Sequence, residues 1–169
     1  MKLNLIRFAK KQLKKTRLKS SKTDFLLSDD DPVQKIGEQI NNAVFSGGPA
    51  EKFSLIGRLC FITLLKVGLT PNSRVLDIGC GALRGGFWLI HFLKPGRYFG
   101  IEPNKEMLEA GKQELLSSEI INHKLPRFDN NYDFTFSGFD ECFDFFIARS
   151  IWTHASKGQI QKMLDEFVK

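Results

Sequence analysis

Arg74-Val75-Leu76-Asp77-Ile78-Gly79-Cys80-Gly81-Ala82-Leu83-Arg84-Gly85-Gly86 is the stretch on which the fold turns. Its first half is short and apolar except for one acid, which suits a strand buried on both faces of a parallel sheet. Gly79 and Gly81 follow at once, and residues without a Cβ let the backbone turn sharply and come close to a ligand. Beyond the loop, Phe87, Leu89, Ile90 and Leu93 line one side of a helix that Pro95-Gly96 stops. Tyr98-Phe-Gly-Ile-Glu102 is then a second strand, ending in a carboxylate. A strand, glycine loop, helix and acid-tipped strand in this order can hold a nucleoside: Glu102 is placed to accept both ribose hydroxyls, and Asp77 adds negative charge beside the loop.

The same alternation extends outward. Ser28-Asp-Asp-Asp-Pro32 reads as a helix start, followed by Ile36, Ile40, Val44 and Phe45 on one face. Ser46-Gly-Gly-Pro49 breaks that helix, and Phe53, Ile56, Leu59, Cys60, Thr63, Leu64 and Val67 predict a second apolar stripe ending at Gly68 and Pro71. Downstream, Asn104 is a candidate N-cap for a helix carrying Met107, Leu108, Gly111 and Leu115. A third strand is expected within 126–137 and a fourth over Phe143-Asp-Phe-Phe-Ile-Ala148. Ser156-Lys-Gly-Gln159 matches a capping box and opens a last helix through Ile160, Met163, Leu164 and Phe167. Strands and helices in alternation call for an α/β fold with a doubly wound parallel sheet. Three segments are expected: a basic extension over 1–27, a helical lead-in over 28–72, and a ligand-binding domain over 73–169.

Composition narrows the function classes. The formal charge of +6 is uneven, since nine of the 25 Lys and Arg lie in the first 22 residues, which hold no Asp or Glu. From Thr23 onward, 16 basic residues face 19 acidic ones, a net of −3. Only the tail is therefore polyanion-seeking, and residues 2–22, read as a helix with a thin apolar stripe, are a candidate arm for a membrane surface or nucleic acid. The ordinary account of such an arm is a solvated extension. Cys60, Cys80 and Cys142 are scattered and odd in number, as are His91, His123 and His154, so neither a disulfide framework nor a metal site is indicated. The chain reads as cytoplasmic.

Val75-Leu-Asp-Ile-Gly-Cys-Gly81 followed by Tyr98-Phe-Gly-Ile-Glu102 resembles the class I, Rossmann-like S-adenosylmethionine-dependent methyltransferases. The resemblance implies that Asp77, Gly79 and Gly81 pack against the methionine part of the cofactor and that Glu102 holds the ribose. It places Asn104 and Met107 near the adenine. Phe143 to His154 resembles the family's fourth strand and the loop after it, so that Ala148, Arg149 and Ser150 match its tip, and Asp133 and Phe134 match the acidic and adenine-stacking positions after the third strand. The pattern departs from the family at Leu83, where many members have a third glycine, and at the end. The family's sheet continues with three more strands beyond the order 3-2-1-4, so an open, Phe-rich edge at strand four is expected, to be completed by further sequence or by a partner chain.

Each assignment has a plainer rival. Nicotinamide binding would want a glycine where Arg84 sits. His154, a candidate general base, is as readily a packed or solvent-facing side chain. Arg84 and Arg149 are candidates for an acidic substrate group, against the commoner role of surface arginine, and the cluster Phe134, Phe136, Phe139, Phe143, Phe145 and Phe146 is most simply core. The expected function is methyl transfer from S-adenosylmethionine to a small molecule or a sugar- or lipid-linked group. The alternative is a domain that binds S-adenosylmethionine or a partner chain without catalysis.

Overall fold

A computed structural model describes residues 30–149 and 151–168. The predicted basic arm at 2–22 and the candidate Ser150 lie outside them. Strand β1 (Val75–Ile78) is buried along its whole length, as its apolar composition requires. It pairs in parallel with β2 (Tyr98–Ile101) on one side and β4 (Phe145–Ala148) on the other, setting Asp77 opposite Gly100 and Ile147. Strand β3 (Arg127–Asp129) pairs with β2, giving the parallel order β3-β2-β1-β4. This is a Rossmann-like sheet with helices against it.

Alternate side chains point to opposite faces. On the first face Val75, Tyr98 and Ile147 share a core with α1 (Pro32–Ala43), α2 (Phe53–Lys66), α3 (Gly86–Phe92) and α4 (Lys105–Leu115), through Val33, Ile40, Phe53, Leu89, Ile90, Leu108 and Leu115. The helices before β1 thus belong to the same core as the sheet. On the second face Leu76, Ile78, Phe99 and Ile101 meet Phe136, Phe139 and Met163 of α6 (Lys157–Glu166), with Phe143, Phe146 and Phe167 around them. Phe146 and Phe167 stack with ring centroids 4.3 Å apart. Much of the phenylalanine excess therefore covers one sheet face.

Two helix caps match expectation. The Asn104 side chain accepts from the Met107 N–H, and Ser156 and Gln159 form the reciprocal capping box of α6. Other elements differ. In α2 the predicted stripe holds in part: Phe53 is buried and Cys60 and Leu64 pack against the core, but Leu59, Thr63 and Val67 are exposed, while Ser54, Leu55 and Gly57 are buried. The cause is Gly57, where a Cβ would collide with the Arg84 carbonyl and crowd the Trp88 ring, so the helix turns its glycine toward the loop. Hydrophobic periodicity gives no weight to such a contact. Helix α5 (Ser118–Lys124), capped by Ser117 and closed by Leu125 at φ 50°, was not anticipated. Strand β3 stops after three residues, where Asp129 accepts the Asn131 N–H and so turns the chain out of the ladder, and Asp133 makes a second such turn with the Thr135 N–H.

Among the described residues no helix is long and apolar enough to cross a membrane. If α6 covers the second face as described, Met163→Ala should cost about 2–5 kcal/mol, since Met163 is wholly buried there. A urea unfolding midpoint close to that of the wild type would contradict this packing.

Candidate functional site

Chain connections leave β1 toward β2 over one face, whereas β4 is reached by returning over the other. The crevice outside the carboxyl ends of the strands at such a reversal is where doubly wound sheets take ligands. A cleft of about 610 Å³ opens there, lined by Asp77 to Ala82 from β1, Ile101 to Pro103 from β2 and Arg149 from β4. Its volume lies within the range typical of small-molecule sites, about 300–1,000 Å³.

Backbone geometry shapes its floor. The N–H groups of Gly79 and Cys80 both donate to the Ile101 carbonyl, at 2.8 and 3.1 Å, which folds the loop over the tip of β2. Gly79 and Gly81 take φ of 70° and 56°, values that favour glycine. Leu83 adopts φ 60° as well, so the conformation a third glycine would take is kept by a leucine. Left-handed backbone costs a non-glycine residue roughly 1–2 kcal/mol. Complete burial of the Leu83 side chain, worth about 1.5–3 kcal/mol, offsets it.

Two buried carboxylates face this loop. Glu102 accepts the Gly81 N–H through Oε2 at 3.0 Å and the Asn104 N–H through Oε1 at 2.9 Å, tying loop, strand tip and the start of α4 together. Each oxygen keeps a further lone pair. Asp77 accepts the Tyr98 hydroxyl at 2.9 Å. Burial pushes its carboxyl up to about 6, with the nearby Glu102 charge adding to the rise, while the Tyr98 hydrogen bond and the Arg149 charge oppose it. The Tyr98 hydroxyl is itself held well above its ordinary value by burial and by Asp77, so it remains a donor at any working pH. Gly86 makes room for it, because a Cβ there would lie 2.5 Å from the hydroxyl. Burial and the Asp77 charge also raise the Cys60 thiol, which keeps this cleft-lining cysteine protonated rather than nucleophilic near neutrality.

Of the residues named from sequence, Asp77, Gly79, Gly81, Glu102, Met107, Phe134, Arg149 and His154 line this one cleft. Asn104, Asp133 and Ala148 are not in its lining. Asn104 caps α4, the exposed Asp133 bonds Thr135 and Lys162, and Ala148 packs with the second-face core. After β3 it is Asn131, Tyr132 and Phe134 that reach the cleft. Asn131 donates to Asp129 and to the Thr135 carbonyl, and its Oδ1 is buried without a partner among the described residues. Phe45 to Gly48, Cys60 and Gly85 form, with the candidate Arg84, a further wall that sequence reasoning otherwise missed as a site element. The available signal was the Ser46-Gly-Gly-Pro49 break, which reads equally well as a plain loop. Among the described residues no group of three or more His, Cys, Asp or Glu is placed to hold a metal.

The family described as "Methyltransferase domain" matches residues 75–169. An uncharacterized methyltransferase of Schizosaccharomyces pombe is 31% identical over 88 residues, which are 44% of this chain and 31% of that protein. The chain therefore spans about a third of the length of this curated relative. Among solved structures, the magnesium protoporphyrin IX methyltransferase of Synechocystis PCC 6803 with bound SAM is 15% identical at a TM-score of 0.55, over 81% of this chain and 70% of that one. With bound SAH, it is 16% identical at a TM-score of 0.54, over 79% of this chain and 60% of that one. At such identities the likeness is one of fold.

Asp77 generates a test of the site's electrostatics. Its folded-state carboxyl, at about 6, lies above the ordinary value of 3.8, so the native state holds the extra proton between those values. Stability of the ligand-free chain therefore falls as pH rises from about 4 to about 6, by at most roughly 3 kcal/mol. Asp77→Asn should be more stable than wild type by about 2–3 kcal/mol at pH 7.5 in urea titrations, with the gap narrowing toward pH 4. Equal stability at pH 7.5 would show that burying this charge costs nothing.

Proposed function

We propose, for a chain that belongs to the methyltransferase-domain family, that the cleft binds S-adenosylmethionine and that the methyl acceptor is a small molecule. The observation that carries this reading is the pair of buried carboxylates, Asp77 and Glu102, at the tips of adjacent strands around a left-handed glycine loop. A cofactor with a ribose, an ammonium and a sulfonium needs that set. S-adenosylmethionine, when bound, supplies an electrophilic methyl on sulfur, and its in-line displacement asks the protein for alignment and exclusion of water rather than a covalent nucleophile.

The residues present fit those needs. Glu102 retains a lone pair on each oxygen for the ribose hydroxyls while its other contacts keep it still. Asp77, costly to ionise because it is buried, gains most from a neighbouring ammonium. Gly81 leaves the backbone bare, with Met107 Sδ 3.4 Å from where a Cβ would stand, so a side chain there would fill the cradle. The unpartnered Asn131 Oδ1 is suited to accept the adenine amino group, with Phe134 and Met107 as apolar neighbours of the ring, whereas Asp133, matched from sequence to the acidic position after the third strand, lies outside the cleft lining. His154, on the same cleft, is the candidate base for an oxygen or nitrogen acceptor. The Synechocystis neighbour's name gives it magnesium protoporphyrin IX as substrate, which supports a small-molecule acceptor over a polymer.

Calorimetry with S-adenosylmethionine and S-adenosylhomocysteine tests the reading. Both should bind the folded chain, and Glu102→Ala should weaken them by about two to four orders of magnitude, since the two charge-assisted hydrogen bonds to the ribose are worth roughly 1.5–3 kcal/mol each. No heat of binding with a folded sample would overturn the cofactor assignment. Unchanged affinity in Glu102→Ala would remove that residue from it.

A further inference from the structure

We propose that Arg84 and Arg149 form an oxyanion subsite in the cleft, so that the acceptor bound beside the cofactor carries a carboxylate or a phosphate. This rests on reading the cleft as a methyl-transfer site.

Arg84 is not a surface arginine. It is only 8% exposed, and burying a guanidinium is costly unless its donors are used. Three contacts immobilise it. Its guanidinium carbon sits 4.8 Å from the centroid of the Phe53 ring, its Nη2 donates to the Gly47 carbonyl at 2.5 Å, and its own backbone carbonyl packs against Gly57 of α2. Gly47 and Gly48, at φ 72° and 67°, curl the loop onto it, and a Cβ at Gly48 would come within 3.0 Å of Nη1. Yet five N–H donors meet a single hydrogen bond. Its Nε is buried without a partner among the described residues, and no carboxylate there lies within ion-pair distance.

A rigid guanidinium with unused donors in a cleft is arranged to bind a ligand. Arg149, just beyond the tip of β4, lines the same cleft, is exposed, and makes no hydrogen bond or ion pair among the described residues. The two are near enough that the Arg149 charge, after burial, disfavours the Arg84 cation. Like charges held together in this way are relieved by an anion, and planar forks suit the two oxygens of a carboxylate or phosphate. The Arg149 charge favours ionised Asp77, but neither cleft carboxylate is in ion-pair contact with either arginine among the described residues. Glu102 holds backbone N–H groups, and Asp77 is bonded to Tyr98 and reserved for the cofactor's ammonium in the reading above.

The probes are benzoate, phenyl phosphate and neutral benzamide, titrated by calorimetry into the full chain with and without S-adenosylhomocysteine. Benzoate or phenyl phosphate should bind at least about tenfold more tightly than benzamide, the better of the two identifying the anion, and Arg84→Gln and Arg149→Gln should each remove about tenfold of that preference. Equal binding of all three, or a preference that survives both substitutions, overturns the subsite. Should Arg84→Gln fail to fold, Arg149→Gln, at an exposed position, decides alone. Failure of S-adenosylhomocysteine to bind the wild type would overturn the cofactor reading instead, and an anion preference in the cofactor-free chain would still support the arginine pair.

Discussion

The hydrogen bond between the Tyr98 hydroxyl and the Asp77 carboxylate, at 2.9 Å and buried, is the interaction around which the site is arranged. Asp77 sits mid-sheet, opposite Gly100 and Ile147, with the Tyr98 hydroxyl as its polar neighbour on that face. A carboxylate there is held against a desolvation cost, and Tyr98 can reach it only because Gly86 stands at the start of α3. Core packing alone would favour an apolar side chain at that position. Retaining an acid there makes sense if a cation completes the environment.

From this centre the remaining parts follow as two walls. One is local to the βαβ unit: the loop bonded to Ile101, and Glu102 bonded to the loop. The other comes from before β1, where Phe53, Gly57 and Gly47 fix Arg84. In the reading proposed above, the wall from before β1 would serve the acceptor and the βαβ unit the cofactor.

The βαβ unit was legible in sequence because each of its features is a local demand on residue type: apolar β1, glycines at positive φ, and an acid at the tip of β2. Asn104 and Ser156 were legible for the same reason, since a cap is decided within four residues. What escaped was set by tertiary contact. The face of α2 is chosen by Gly57 against a loop almost thirty residues away, and periodicity cannot see a glycine. After β3, turns formed by aspartate side chains carry Asn131 rather than Asp133 into the cleft. For Arg84 a surface arginine stood as the commoner reading beside a binder of acidic groups, because nothing near it in sequence announces Phe53 above its guanidinium.

The most direct test of the central claim is the titration of the Asp77 carboxyl carbon by NMR, with and without S-adenosylhomocysteine, which carries the same ammonium and ribose. The account predicts a midpoint near 6 in the free chain that falls by one unit or more on binding, about 1.4 kcal/mol of interaction per unit. A midpoint unmoved by saturating ligand would contradict it, placing the ligand's positive charge away from Asp77.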